Sequence, residues 1–234
     1  MFAIFGTCED GRMEPKKQTT IRTAEHVADT VQEAVLSEKR RLRRLVGDRL
    51  RRHLLGEGVD PDVPLSALAP AEARRRRALR RRFKTEVLAG GVRPTVDALV
   101  EAAIVAELGG RGWLDGPVPV VDREMVPVSR WPGSGSGERG AAWRGSVTAR
   151  VATHLLERTV ARCWEHSAPA VAALVDWRDR HPDLVHRAQD PGAWEEYDRL
   201  AAGVLTPGDV YRDALARVRL PETRNGAVTV QDGG

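Results

Sequence analysis

Hydrophobic residues recur along this chain mostly at spacings of three and four. From Ala24 onward, Val27, Val31, Ala34 and Val35 fall on one helical face, and Leu42, Leu45, Val46, Leu50 and Leu54 continue it. That pattern predicts one long amphipathic helix, or two helices joined near 37–41. Thr23 stands where an N-cap belongs. After Pro70 a second helix has only a thin apolar line, Leu79, Phe83 and Val87, and Gly90-Gly91 ends it. Pro94-Thr95 opens a third, whose Val96, Leu99, Val100, Ala103, Ile104 and Leu108 form a wide apolar stripe closed by Gly109-Gly110. In the second half Val147, Val151, Leu155, Thr159 and Cys163 share a helical face, and His181-Pro182 breaks the run that follows. Asp190-Pro191 and Thr206-Pro207 place a capping side chain before proline, which predicts helices running on to Leu205 and Leu220.

Extended segments are few. Lys16 to Thr23 is polar with a strand-compatible Thr19-Thr20-Ile21. Val118–Val121 and Met125–Val128 flank Asp122-Arg123-Glu124, and their prolines make them edge strands or loop. The fold expected is mainly α: helical bundles with a short N-terminal strand and a minor β-hairpin near 117–129. No internal repeat is evident. The expected domains are a basic helical region over 16–110, a loop and flexible linker over 111–140 built on Gly133-Ser134-Gly135-Ser136-Gly137, and a helical partner or dimerisation domain over 141–221. Tails are expected at 1–15 and 222–234, and Met13 is the expected start of translation.

Charge changes the picture most. Between Lys39 and Lys84 lie 16 of the 37 basic residues against 5 acidic ones, a window of about +11 in a chain of net +4. The remainder is therefore mildly acidic. Positive charge gathered in this way suits a polyanion. Apart from Lys16, Lys17, Lys39 and Lys84 all of it is arginine, whose fork matches phosphate. A GC-rich coding sequence inflates the arginine total, but it accounts less well for the clustering. The candidate phosphate contacts are Arg40, Arg43, Arg44 and Arg51 in the first block and Arg74, Arg75, Arg76, Arg77, Arg80, Arg81, Arg82 and Lys84 in the second.

Lys16 to Leu54 resembles the ribbon-helix-helix family of bacterial DNA-binding modules: Thr19-Thr20-Ile21-Arg22 corresponds to the strand, Ala24–Val35 to the first helix and Leu42–Leu54 to the second. The resemblance implies a strand that pairs with its twin in a dimer and enters the major groove, with Lys17, Thr20 and Arg22 as base or backbone contacts. Between the helices the chain reads Glu38-Lys39-Arg40-Arg41, where the family carries Gly or Asn and a capping hydroxyl. A single long amphipathic helix gives the same apolar spacing. A winged-helix alternative, with Thr95–Leu108 as recognition helix, ranks below it because Asp97, Glu101 and Glu107 repel phosphate.

Enzymatic chemistry finds less support. Cys163 and His166 sit three apart, with His154 earlier and His181 or Asp176 as distant completing ligands, too loose a set for zinc. Around His181, His186, Asp176 and Asp179 there is no nucleophile motif, phosphate loop or dinucleotide fingerprint. Trp131 and Trp143 flank the linker and are candidates for base stacking. Cys8 and Cys163 leave no disulfide framework, and no apolar run approaches a membrane span. The chain is expected to be a cytoplasmic, bacterial, regulatory or accessory DNA-binding protein. DNA is favoured over RNA as partner, there is room for a homodimer, and no cofactor is expected. The alternative is an adaptor whose basic helices bind an acidic protein or an anionic surface.

Overall fold

In the computed structural model residues 14–121 and 143–219 are described. Their elements are β1 (Lys16–Thr23), α1 (Glu25–Gly56), α2 (Pro70–Ala89), α3 (Val96–Gly110), β2 (Gly145–Ala152), α4 (Thr153–Arg180), α5 (Pro191–Ala201) and α6 (Pro207–Ala216), with a short 3-10 turn at Leu65–Ala67. The protein is mainly α, with one two-stranded antiparallel sheet among the described residues. Two compact units divide it: 14–31 with Thr95–Val218, and Gln32–Pro94. This grouping differs from a division at 111–140, because β1 and α3 belong with the second half.

The physical reason is the sheet. β1 pairs along its whole length with β2, from Lys16 opposite Ala152 to Thr23 opposite Gly145. The second strand is therefore Gly145–Ala152. Residues 117–121 form no strand, and 122–129 lie outside the described residues. Val147 and Val151 are thus strand residues, contrary to the helical expectation. Val147, Ala149 and Val151 are buried, whereas Ser146, Thr148 and Arg150 are exposed. A spacing of four is two strand periods as well as about one helical turn, and only the alternation between them tells the two apart.

Carboxylates of α3 close the outer edge of β2. The Arg150 backbone N–H donates to Asp97 at 2.9 Å and that of Ala152 to Glu101 at 3.1 Å. Asp97 and Glu101, one helical turn apart, thereby match two edge donors two residues apart. Glu101 also pairs with Lys16 at 2.8 Å. Where β2 begins, a Cβ on Gly145 would stand 3.0 Å from the Ala24 carbonyl oxygen and the Glu25 Cα, so only glycine lets the strand approach this closely. Below the sheet the core joins Ile21, Val31, Ile104, Val147, Val151 and Val210. The fully buried Glu107 is held by Arg111 at 2.6 Å and Arg217 at 2.6 Å, as a buried charge requires.

The helix starts follow the local chemistry. Thr95 accepts from the Ala98 N–H at 3.2 Å to open α3, and Asp190 accepts from Ala193 at 3.0 Å to open α5. Thr206 and Asp209 form a capping box on α6. Thr23, by contrast, is the last residue of β1 and is buried. α5 and α6 end at Ala201 and Ala216, short of the expected Leu205 and Leu220.

The second unit is small. α1 and α2 pack through Val46, Phe83 and Val87, joined by Val92 and flanked by Leu42, Leu45, Leu50 and Leu79. His53 meets the Phe83 ring edge-on at 5.6 Å. Glu38 anchors the chain after α2 by accepting from the Arg93 N–H at 2.7 Å. The helix is unbroken from Glu25 to Gly56, so no turn separates two helices at 37–41.

Candidate nucleic-acid interface

The basic residues of α1 and α2 fall into two groups once their partners are known. One group is neutralised locally: Arg41 by Glu38, Arg49 and Arg82 by Glu86, Arg51 by Asp62, and Arg75 by Glu57 and Glu72. Every one of these acids belongs to the same helices or to the loop between them. Arg52 reaches only the Asp48 carbonyl, at 3.4 Å. The other group is exposed and without an ion-pair partner among the described residues: Lys39, Arg40, Arg43, Arg44, Arg52, Arg74, Arg77, Arg80, Arg81 and Lys84.

Arg76 is a correction to the sequence expectation. Its residue is 4% exposed, and its guanidinium donates to the Asp60 carbonyl at 2.9 Å, the Val63 carbonyl at 3.2 Å and the Glu72 carboxylate at 3.3 Å. It ties the interhelical loop to α2, and its burial keeps it from a phosphate at the surface. Nothing in an Arg-Arg-Arg-Arg run distinguishes it from its neighbours except phase: it lies seven residues before Phe83, on the buried face.

The unpaired cations of α2 also follow phase. Arg74, Arg77, Arg81 and Lys84 succeed one another at three, four and three residues, and Arg80 lies three from Arg77 and four from Lys84. They make one stripe on the helix surface, while Glu72 and Glu86 with Arg75 and Arg82 occupy another. On α1, Arg40 and Arg44 stand one turn apart with Arg51 two turns further, and Lys39 and Arg43 flank them. Lys39 and Arg52 are unpaired cations missing from the sequence candidates, and both are exposed like the rest.

On the sheet, Thr20 and Arg22 project from the exposed face of β1, while Lys17 has the opposite phase, that of Ile21. Arg22 has no ion-pair partner among the described residues. The Thr20 hydroxyl lies 3.0 Å from that of Thr148 on β2. Thr148 and the exposed Arg150 therefore join the candidates, having been hidden by the helical assignment of their segment.

Burial pushes the Cys163 thiol up to about 12, so it stays a neutral core group at physiological pH. His154 is paired with Glu14, and no three His, Cys, Asp or Glu side chains converge as a metal set among the described residues. Trp143 lies under the Arg212 guanidinium at 3.5 Å, which occupies one face of its ring. Trp131 lies outside the described residues. Among the described residues no helix is long and apolar enough to cross a membrane. Comparison with protein families, curated proteins and solved structures finds no match to this chain.

Proposed function

We propose that the chain binds double-stranded DNA, with the unpaired cations of α1 and α2 as its phosphate contacts. The observation that carries this reading is the α2 stripe of Arg74, Arg77, Arg80, Arg81 and Lys84, five cations without a carboxylate partner among the described residues. Like charges three and four apart on a helix repel, each pair costing about 0.2–0.5 kcal/mol. A row of phosphates relieves that repulsion and releases condensed counterions on binding. The neighbouring Arg75 and Arg82 already have carboxylates, so the stripe stands apart from arginines that the chain neutralises itself.

In this reading the protein's role is regulatory or accessory. The test is a titration of a generic duplex against salt. Affinity falling by about 0.9 log units per log unit of salt for each phosphate neutralised supports the reading, and affinity indifferent to salt, or lost to an acidic protein in direct competition, rejects it.

A further inference from the structure

A short motif occurs twice in this chain at a constant separation, a repeat that periodicity alone did not reveal. Thr20, Arg22, Ala24 and His26 have Thr148, Arg150, Ala152 and His154 as counterparts 128 residues later, and Val27 and Asp29 have Leu155 and Glu157. The structure keeps the same phase. α1 starts at Glu25 and α4 at Thr153, at that same separation, each following a strand of 8 residues. Burial agrees: Val31 and its counterpart Thr159 are both 0% exposed, and Val35 and Cys163 are 3% and 0%.

An antiparallel pair has local two-fold axes in any register, so the pairing by itself carries no information about a repeat. The informative fact is where the axis falls. Thr20 is opposite Thr148, its own counterpart, so Gln18 faces Arg150 and Arg22 faces Ser146. A half-turn about the Thr20–Thr148 contact therefore exchanges Arg22 with Arg150 and Gln18 with Ser146. Any slip of the register would set the counterparts out of step.

The outward face of this ribbon consists of Gln18, Thr20, Arg22, Ser146, Thr148 and Arg150, all exposed, with neither a carboxylate nor a large apolar side chain among them. Hydroxyl, amide and guanidinium groups are those that read base edges, and the major groove admits a two-stranded ribbon. Arg150 lies 3.7 Å from Asp97 but its side chain is 72% exposed, so it is free to exchange that partner.

We propose that β1 and β2 are two copies of one strand–helix motif, and that their common outward face reads the major groove as a single two-fold surface, one chain to one short inverted-repeat site. The proposal deepens the DNA-binding reading above and rests on it. Thr148 and Arg150 become specificity-determining residues equal in standing to Thr20 and Arg22. A symmetric site then needs no second chain, because the symmetry lies within the first.

Selection of bound sequences from a random duplex library by the full-length chain, with sedimentation to count chains per duplex, tests this. The expected result is an inverted repeat occupied by one chain, with Arg22→Ala relaxing discrimination in one half and Arg150→Ala in the other, each by roughly tenfold or more. Both arginines are exposed, so neither variant should impair folding. Salt-sensitive binding with no selected sequence, an asymmetric site altered by Arg22→Ala alone, or two chains per repeat overturns the inference and leaves phosphate binding standing. Failure to bind any duplex overturns both.

Discussion

Arg76 donates to the carbonyl oxygen of Asp60 at 2.9 Å, tying α2 to the loop that precedes it, whereas Arg77 beside it reaches into solvent. The two neighbours make a paired experiment. Arg76→Ala removes the part-buried hydrogen bonds to the carbonyls of Asp60 and Val63 along with a buried side chain, and lowers stability by about 1.5–3 kcal/mol. Arg77→Ala stays within about 0.5 kcal/mol of the parent, yet weakens DNA binding. Urea unfolding of both variants checks this, and equal losses of stability would show that the partition into structural and free arginines is wrong.

Asp97 and Glu101 together close the outer edge of β2. Replacing both with alanine exposes the donors of Arg150 and Ala152 and breaks the Lys16 ion pair. Stability falls by about 1–3 kcal/mol, and the uncapped edge becomes a template for pairing between chains. Concentration-dependent light scattering that rises in the double variant is the expected outcome, and a monodisperse variant of unchanged stability contradicts it.

Asp209 accepts from the Thr206 N–H at 2.9 Å, the Thr206 hydroxyl at 2.7 Å and Arg212 at 2.6 Å. Burial works to raise its pKa, but these donors outweigh it and hold the carboxyl below the usual carboxylate range. A depressed folded-state pKa contributes stability above the unfolded value and loses it as pH falls through the folded value. Asp209→Asn therefore costs about 1 kcal/mol near neutral pH, and its gap from the parent narrows below about pH 4. Denaturation at several pH values measures that gap, and a gap independent of pH contradicts the assignment.

Much of the helical fold was legible in the chain because its signals are local. Thr95, Asp190-Pro191 and Thr206-Pro207 mark the starts of α3, α5 and α6 within a few residues, and Gly90-Gly91 marks the end of α2. β2 was not legible. Its valines at 147 and 151 satisfy both periods, and its partner lies 128 residues away at the central pair, beyond any local pattern. The same distance concealed the repeated motif, whose buried counterparts such as Ile21 and Ala149 share burial rather than identity. Charge was legible as a total and not as a distribution: the sequence counts sixteen cations between Lys39 and Lys84, but only packing separates Arg76 from Arg77.

The most direct test of the central claim compares the salt dependence of duplex binding in two variants. Arg74→Ala/Arg77→Ala/Arg81→Ala/Lys84→Ala removes unpaired cations, and its slope should fall by up to about 0.9 for each phosphate no longer neutralised, uniformly over duplex sequences. Arg49→Ala/Arg75→Ala/Arg82→Ala removes cations already held by Glu57, Glu72 and Glu86, and its slope should stay close to the parent's. Equal slopes in the parent and the first variant, or a larger fall in the second, would contradict the account.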